Sequence, residues 1–362
     1  MAAWPIIDIA MENQPAMHHY DRFPDFWHRH ATRDATQYQF WVFGYPLLLT
    51  TNSPALVAAC ADWVTRFSET APRPTELPMQ IRLFVRDQTA AVAQAMAWEG
   101  FNLEGRSPFA YDAYRETISI SAAQHGSVQA DLTRQEATGF VSTALARNRA
   151  LVSKFVFGTL LYNLLTRRAG LVQWHAVAVT RGDAVILLIG HDHSGKSTTA
   201  LGLLHAGYQL LADGLVYTAL HDDAVEVLAS PTRELRVRRG AFQFFPELAA
   251  AAEPLNTWEG EKYRIDLGQV WPQAVTTASR RTTRLLPLFV SVAHHPETQV
   301  IPLTPAAALD LAIPALGGWD APAFLDAVMQ AAQALLTRSP SFQLKTGSDM
   351  PGLVDAIVGL GC

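Results

Sequence analysis

Residues 184 to 214, AVILLIGHDHSGKSTTALGLLHAGYQLLADG, restrict the possible folds of this chain more than any other stretch. The opening AVILLI is wholly apolar, as a strand buried on both faces must be. Gly190-x-x-x-x-Gly195-Lys196-Ser197 then matches the P-loop pattern in full, and a helix is expected from about Ser197 to His205. The next apolar run, YQLLAD, reads as a second strand ending on Asp213. Strand, glycine loop, helix and strand in such close order require an α/β sheet with the helix laid over one face. Glycines let the loop backbone curl so that successive N–H groups converge on an anion, and the helix N-terminus adds its dipole. Residues 190–198 are therefore the expected nucleotide cradle: Gly190, His191, Asp192, His193, Ser194, Gly195, Lys196, Ser197 and Thr198. Lys196 would reach the β- and γ-phosphates, and the Ser197 hydroxyl would be a ligand for Mg²⁺.

The rest of the chain must accommodate this core. With 362 residues there is room for two domains. An apolar fraction of 49% against 17% charged residues is that of a globular chain, not a disordered one. The balance of 28 basic and 33 acidic residues, with no basic run, excludes a dedicated nucleic-acid binder. Two cysteines, Cys60 and Cys362, cannot build a disulfide framework, which suggests a reducing compartment. No basic leader opens the chain and no apolar run approaches the roughly 18 residues that a membrane span needs. The expectation is a soluble, cytoplasmic protein without membrane or nucleic-acid partners, and a homo-oligomer is compatible with it.

Three segments are expected. Residues 1–130 read as a small α+β domain that contacts substrate or partner. It contains a hairpin-like QYQFWVFGYPLLLT at 37–50, a helix over 53–67, the Pro-rich connector 68–78 and further strand-like pieces. A linking helix is expected over 131–170, with Leu151, Val152, Phe155, Val156, Leu160, Leu161 and Leu164 on one broad face and Gly170 as C-cap. Residues 171–362 then form the nucleotide-binding domain, with VQWHAVAVTRGDAVILLIG as a hairpin into a central strand.

Asp213 comes early for a P-loop protein, since the metal-associated carboxylate usually sits on a strand much further along. Its position at the end of the very next strand can set a carboxylate beside the γ-phosphate, to hold Mg²⁺ or take a proton from an attacking hydroxyl. An aspartate before Gly214 that merely caps a turn is the plainer alternative.

WHAVAV, GDAVILLIGHDHSGKST and LLADG together resemble the nucleotide-binding core of the HPr kinase/phosphorylase family and its divergent relatives encoded beside biosynthetic genes. The likeness is strong over about 172–218 and weak onward to about 305. It implies an α/β, phosphoenolpyruvate-carboxykinase-like P-loop kinase core, here with a smaller N-terminal α+β domain. On that resemblance His175 matches the active-site histidine, Asp213 the catalytic aspartate, and Lys196 and Ser197 the phosphate and metal contacts. ELR at 234–236 resembles a Glu-Ile-Arg segment, which would make Glu234 a metal ligand alongside Ser197 and Asp213; a strand-edge charge pair is the alternative. The second aspartate of the family's pair is Gly214 here, and nothing matches the signature of the phosphorylase reaction.

Other features are weighed and set lower. The histidine pairs His18-His19, His28-x-His30, His191-x-His193 and His294-His295 lack partners at metal-binding spacing and read as solvated or packed, with His191 and His193 able to contact nucleotide. Lys262 and Arg264 lie on a strand edge from which a cation could offset transition-state charge. The arginines of RELRVRRGAFQFFPEL are expected to be solvated or paired, and its aromatics packed.

Taken together the sequence points to an ATP- and Mg²⁺-dependent kinase acting on a hydroxyl of a peptide or protein serine or of a small metabolite, with Asp213, His175 and Lys196 as its catalytic set. The competing expectation is a non-catalytic nucleotide-binding switch or scaffold in a biosynthetic complex.

Overall fold

The computed structural model describes residues 8–9, 35–65, 76–86, 110–114, 116–122, 125–230, 233–257, 260–293, 295–317 and 325–361. His18, His19, His28, His30 and His294 lie outside them. The chain divides into two units, Met1–Thr65 with Ala71–Arg168, and Arg66–Thr70 with Ala169–Cys362.

The first unit is built on an eight-stranded sheet: Asp8–Ile9 (β1), Thr36–Val42 (β2), Tyr45–Thr51 (β3), Met79–Arg86 (β4), Ala110–Tyr114 (β5), Thr117–Ser121 (β6), Gly126–Asp131 (β7) and Glu136–Ser142 (β8). Its strand order is β1-β2-β3-β4-β8-β7-β6-β5, antiparallel except for the pairs β3–β4 and β4–β8. The expected hairpin at 37–50 is β2–β3, turning at Phe43 and Gly44, both at positive φ. The helix expected over 53–67 runs Pro54–Val64 (α1), with Pro54 in its first turn and Leu56, Cys60 and Trp63 buried.

The linking helix expected over 131–170 does not begin where expected. Residues 136–142 form β8, with alternate positions Ala137, Gly139 and Val141 buried. A side chain at Gly139 would meet the Ser127 carbonyl at 2.3 Å, so this strand lies flush against β7. Helical structure starts only at Thr143, where the Ser142 hydroxyl accepts the Leu145 N–H as an N-cap. It passes through a π-helical stretch, Val152–Phe157, into Gly158–Ala169 (α2), and stops at Gly170 with φ 61° as a C-cap glycine should. The apolar face is as expected, with Leu151, Val152, Val156, Leu160 and Leu164 buried. Most of this segment therefore belongs to the first unit.

The second unit carries a mixed eight-stranded sheet and a small three-stranded one. Leu171–Arg181 (β9) and Ala184–Ile189 (β10) are the expected hairpin. Lys196–His205 (α3) follows, then Gln209–Leu220 (β11) and Val225–Leu228 (β12). Glu234–Val237 (β13), Ala252–Thr257 (β14) and Gly260–Asp266 (β15) form the small sheet, in the order β13-β15-β14. Arg280–Thr282 (β16), Arg284–Val292 (β17), Gln299–Leu303 (β18) and Ser341–Thr346 (β19) complete the large sheet, ordered β16-β12-β11-β9-β10-β17-β19-β18. Pairs β10–β17 and β17–β19 are parallel.

All six residues of β10 are buried, and they alternate between two cores. Ile186 and Leu188 pack on one face with Leu201 and Leu204 of α3, and with Leu235 and Val237 of β13. Val185, Leu187 and Ile189 pack on the other with Pro305–Ala312 (α4) and Leu325–Arg338 (α5). Each such side chain contributes about 1.5–3 kcal/mol on leaving water, which fixes β10 as the immobile base of the loop that follows it.

Candidate functional site

The loop leaves β10 at Gly190 and enters α3 at Gly195, the helix N-cap, with φ 96°. Both glycines are required. At Gly195 the left-handed backbone strains any other residue. At Gly190 a Cβ would sit 2.6 Å from Ser194 Oγ and 2.9 Å from the Val290 carbonyl of β17. Gly190→Ala is therefore expected to force the loop off its seat, lowering the melting temperature and abolishing phosphate binding; differential scanning fluorimetry with and without nucleotide measures both.

Lys196 is 8% exposed and curls under the loop, its Nζ donating to the Gly190 and His191 carbonyls at 2.6 and 2.8 Å. Ser197 and Thr198 follow in the first turn of α3, half-buried, where helical N–H groups have no intrahelical acceptor. Ser194 is buried, and its Oγ has no hydrogen-bond partner among the described residues. The loop's remaining side chains reach outward to its flanks. Asp192 Oδ1 lies 3.7 Å from His175 Nε2 on β9, His191 Nδ1 donates to the Asp192 carbonyl at 2.6 Å, and His193 Nε2 accepts from Arg238 at 2.9 Å.

Asp213 lies within β11 and does not end it, for the strand continues to Leu220. Nor is β11 adjacent to β10: β9 lies between them, with Asp213 opposite Val177 and Leu188 opposite that same Val177. The carboxylate still stands level with the end of the loop strand, one strand further across than adjacency implied. A strand residue is no turn cap. Register shifts between Leu210 and Ala212, and Gly214 takes φ 86°, a left-handed backbone that glycine adopts freely.

The half-buried Asp213 accepts the Arg236 N–H at Oδ2, at 3.0 Å. Burial pushes its pKa above the ordinary aspartate range; the Arg236 amide and the Arg236, Lys196 and Lys262 charges pull it partly back. So Lys196 and Asp213, separated by a helix and half a strand, share one electrostatic neighbourhood. Lys262 joins them from β15. Glu234, on β13, faces Arg264 at 3.6 Å, and Arg264 also binds Glu253. This is a strand-edge charge pair of the kind weighed as the alternative for Glu234, and Arg264 bridges the two carboxylates.

Arg236 and Arg238 were expected to be solvated or paired: the Arg236 side chain is exposed while its backbone N–H meets Asp213, and Arg238 pairs with His193 of the loop. The alternation of buried Leu235 and Val237 with Glu234 and Arg236 turns the latter two side chains away from the core, and Arg238 follows just beyond β13.

The residues fit a nucleotide with Mg²⁺: two glycines where a Cβ would obstruct or strain the loop, a buried lysine, hydroxyls at a helix start and one neighbouring carboxylate. No group of three or more His, Cys, Asp or Glu able to hold a metal occurs among the described residues.

No protein-family model matches the chain, and no curated protein matches it. Among solved structures it matches the Hpr(Ser) kinase/phosphatase from Coxiella burnetii, at 14% identity over 52% of this chain and 95% of that one, with a TM-score of 0.26. A likeness at that level carries no weight for activity. The functional reading rests on the site. No helix among the described residues is long and apolar enough to cross a membrane.

Proposed function

We propose that the chain is an ATP- and Mg²⁺-dependent kinase that transfers the γ-phosphoryl group to a hydroxyl of a peptide or protein serine or of a small biosynthetic metabolite. The observation that carries this reading is Asp213: a carboxylate with a raised pKa, level with the end of the loop strand and within the field of the loop lysine. A phosphate-binding loop alone accounts for nucleotide binding, whereas transfer to a hydroxyl also needs a group that takes the proton.

The loop and first-turn N–H groups bind the phosphates, and the Lys196 ammonium turns from the loop carbonyls to the β- and γ-phosphates. Ser197 and Asp213 would hold Mg²⁺, which when bound neutralises charge on the phosphate oxygens. Asp213 accepts the acceptor's hydroxyl proton as the new O–P bond forms. The bond from the γ-phosphorus to its bridging oxygen breaks, and ADP leaves with the electron pair. His175, across from Leu215 and beside Asp192, orients the acceptor or the transferring phosphoryl.

The alternative, a non-catalytic nucleotide-binding module, is favoured by one observation, the glycine at 214. ADP release that depends on an added hydroxyl acceptor supports the kinase; tight ATP binding without acceptor-dependent release supports the module. His175→Ala is expected to slow transfer by roughly 10²-fold at an unchanged melting temperature. An unchanged rate with a lower melting temperature would make it a core histidine.

A further inference from the structure

His193 is one of three described non-glycine residues with positive φ, at 66°. A left-handed β-carbon-bearing residue persists only when its surroundings impose it. Here it sits two residues before Gly195, so its backbone sets the direction of the last loop amides. One contact faces its ring: Arg238, just beyond β13, donates to Nε2 at 2.9 Å, which leaves the ring proton on Nδ1. Arg238 is anchored in turn, because Leu235 and Val237 are buried in the core shared with α3 and β10. A guanidinium on a fixed strand end thus holds the strained position of a phosphate-binding loop. Elsewhere on the loop, Asp192 Oδ1 lies at the longer distance of 3.7 Å from His175 Nε2.

We infer that Arg238 is a positioning residue for nucleotide: by holding the His193 ring it keeps the left-handed turn that aims the loop amides at the phosphates. The inference rests on the reading of residues 190–198 as a nucleotide cradle. Arg238 need not touch the phosphates, and its effect runs through His193.

The test is a double-mutant cycle read as Kd for a fluorescent ATP analogue with Mg²⁺. Arg238→Ala and His193→Ala are each expected to weaken binding about tenfold, the scale of one hydrogen bond from a charged donor. The double variant should be no worse than either single one, since both remove the same contact. Arg238→Lys, which keeps a charged donor of similar reach, should recover most of the loss and serves if the alanine variant does not fold. Wild-type affinity in Arg238→Ala, or a loss of about a hundredfold in the double variant from independent effects, overturns the inference. Lys196→Ala separates the two levels. If it binds the analogue as well as wild type, the cradle reading itself fails; if it does not bind while Arg238→Ala binds normally, only the role of Arg238 fails.

Discussion

Asp213→Asn is expected to lower phosphoryl transfer by about 10²–10⁴-fold while ATP–Mg²⁺ binds within a few-fold of wild type, the loss that follows removal of a positioned base. The amide is nearly isosteric and its oxygen can still accept the Arg236 N–H, but it cannot take the acceptor's proton. Stability should move the other way. Because burial raises the folded-state pKa above that of the unfolded chain, the Asp213 carboxyl favours folding below the unfolded value. That contribution is lost as pH rises through the folded-state value, beyond which a desolvated charge is held at a cost. The asparagine variant should therefore melt slightly higher than wild type near neutral pH and lose this advantage in acid. A parallel collapse of ATP affinity would make Asp213 a metal ligand first; a wild-type rate would remove it from the mechanism.

Lys196→Ala should reduce transfer by about 10³-fold or more, the upper end of what one preorganised charge donor supplies. The lysine is buried and satisfied by two loop carbonyls, so its removal takes away a brace of the loop and, in the proposed mechanism, the cation that follows the γ-phosphate. Nucleotide affinity should fall with the rate, unlike the asparagine variant. Isothermal titration with ATP–Mg²⁺ distinguishes the two patterns. Full turnover in Lys196→Ala would mean that the loop has no part in the chemistry.

Local pattern in the sequence predicted the loop, its strand and its helix, because each residue there answers to a local demand. A run of six apolar residues needs burial on both faces, Gly195 needs a left-handed backbone, and Lys196 follows at fixed spacing. The β9–β10 hairpin and the Gly170 cap were legible for the same reason. What escaped depended on partners far along the chain. EATGFVS is short and holds a glycine, and it becomes a strand because β4 and β7 pair with it on both sides. That β9 separates β11 from β10 is a matter of sheet order, which no local pattern records. That Arg264, 30 positions on, comes within 3.6 Å of Glu234 is likewise a matter of sheet pairing. Arg236 and Arg238 read as ordinary surface charge, and packing between distant segments brings the Arg236 amide to Asp213 and the Arg238 guanidinium to His193.

The ³¹P spectrum of ATP–Mg²⁺ incubated with the protein and a pool of serine-bearing peptides and hydroxyl metabolites tests the central claim most directly. A kinase predicts a new phosphomonoester resonance that grows in step with ADP and is absent with Asp213→Asn. Orthophosphate as the sole product, or ATP that is bound yet left intact, would contradict it.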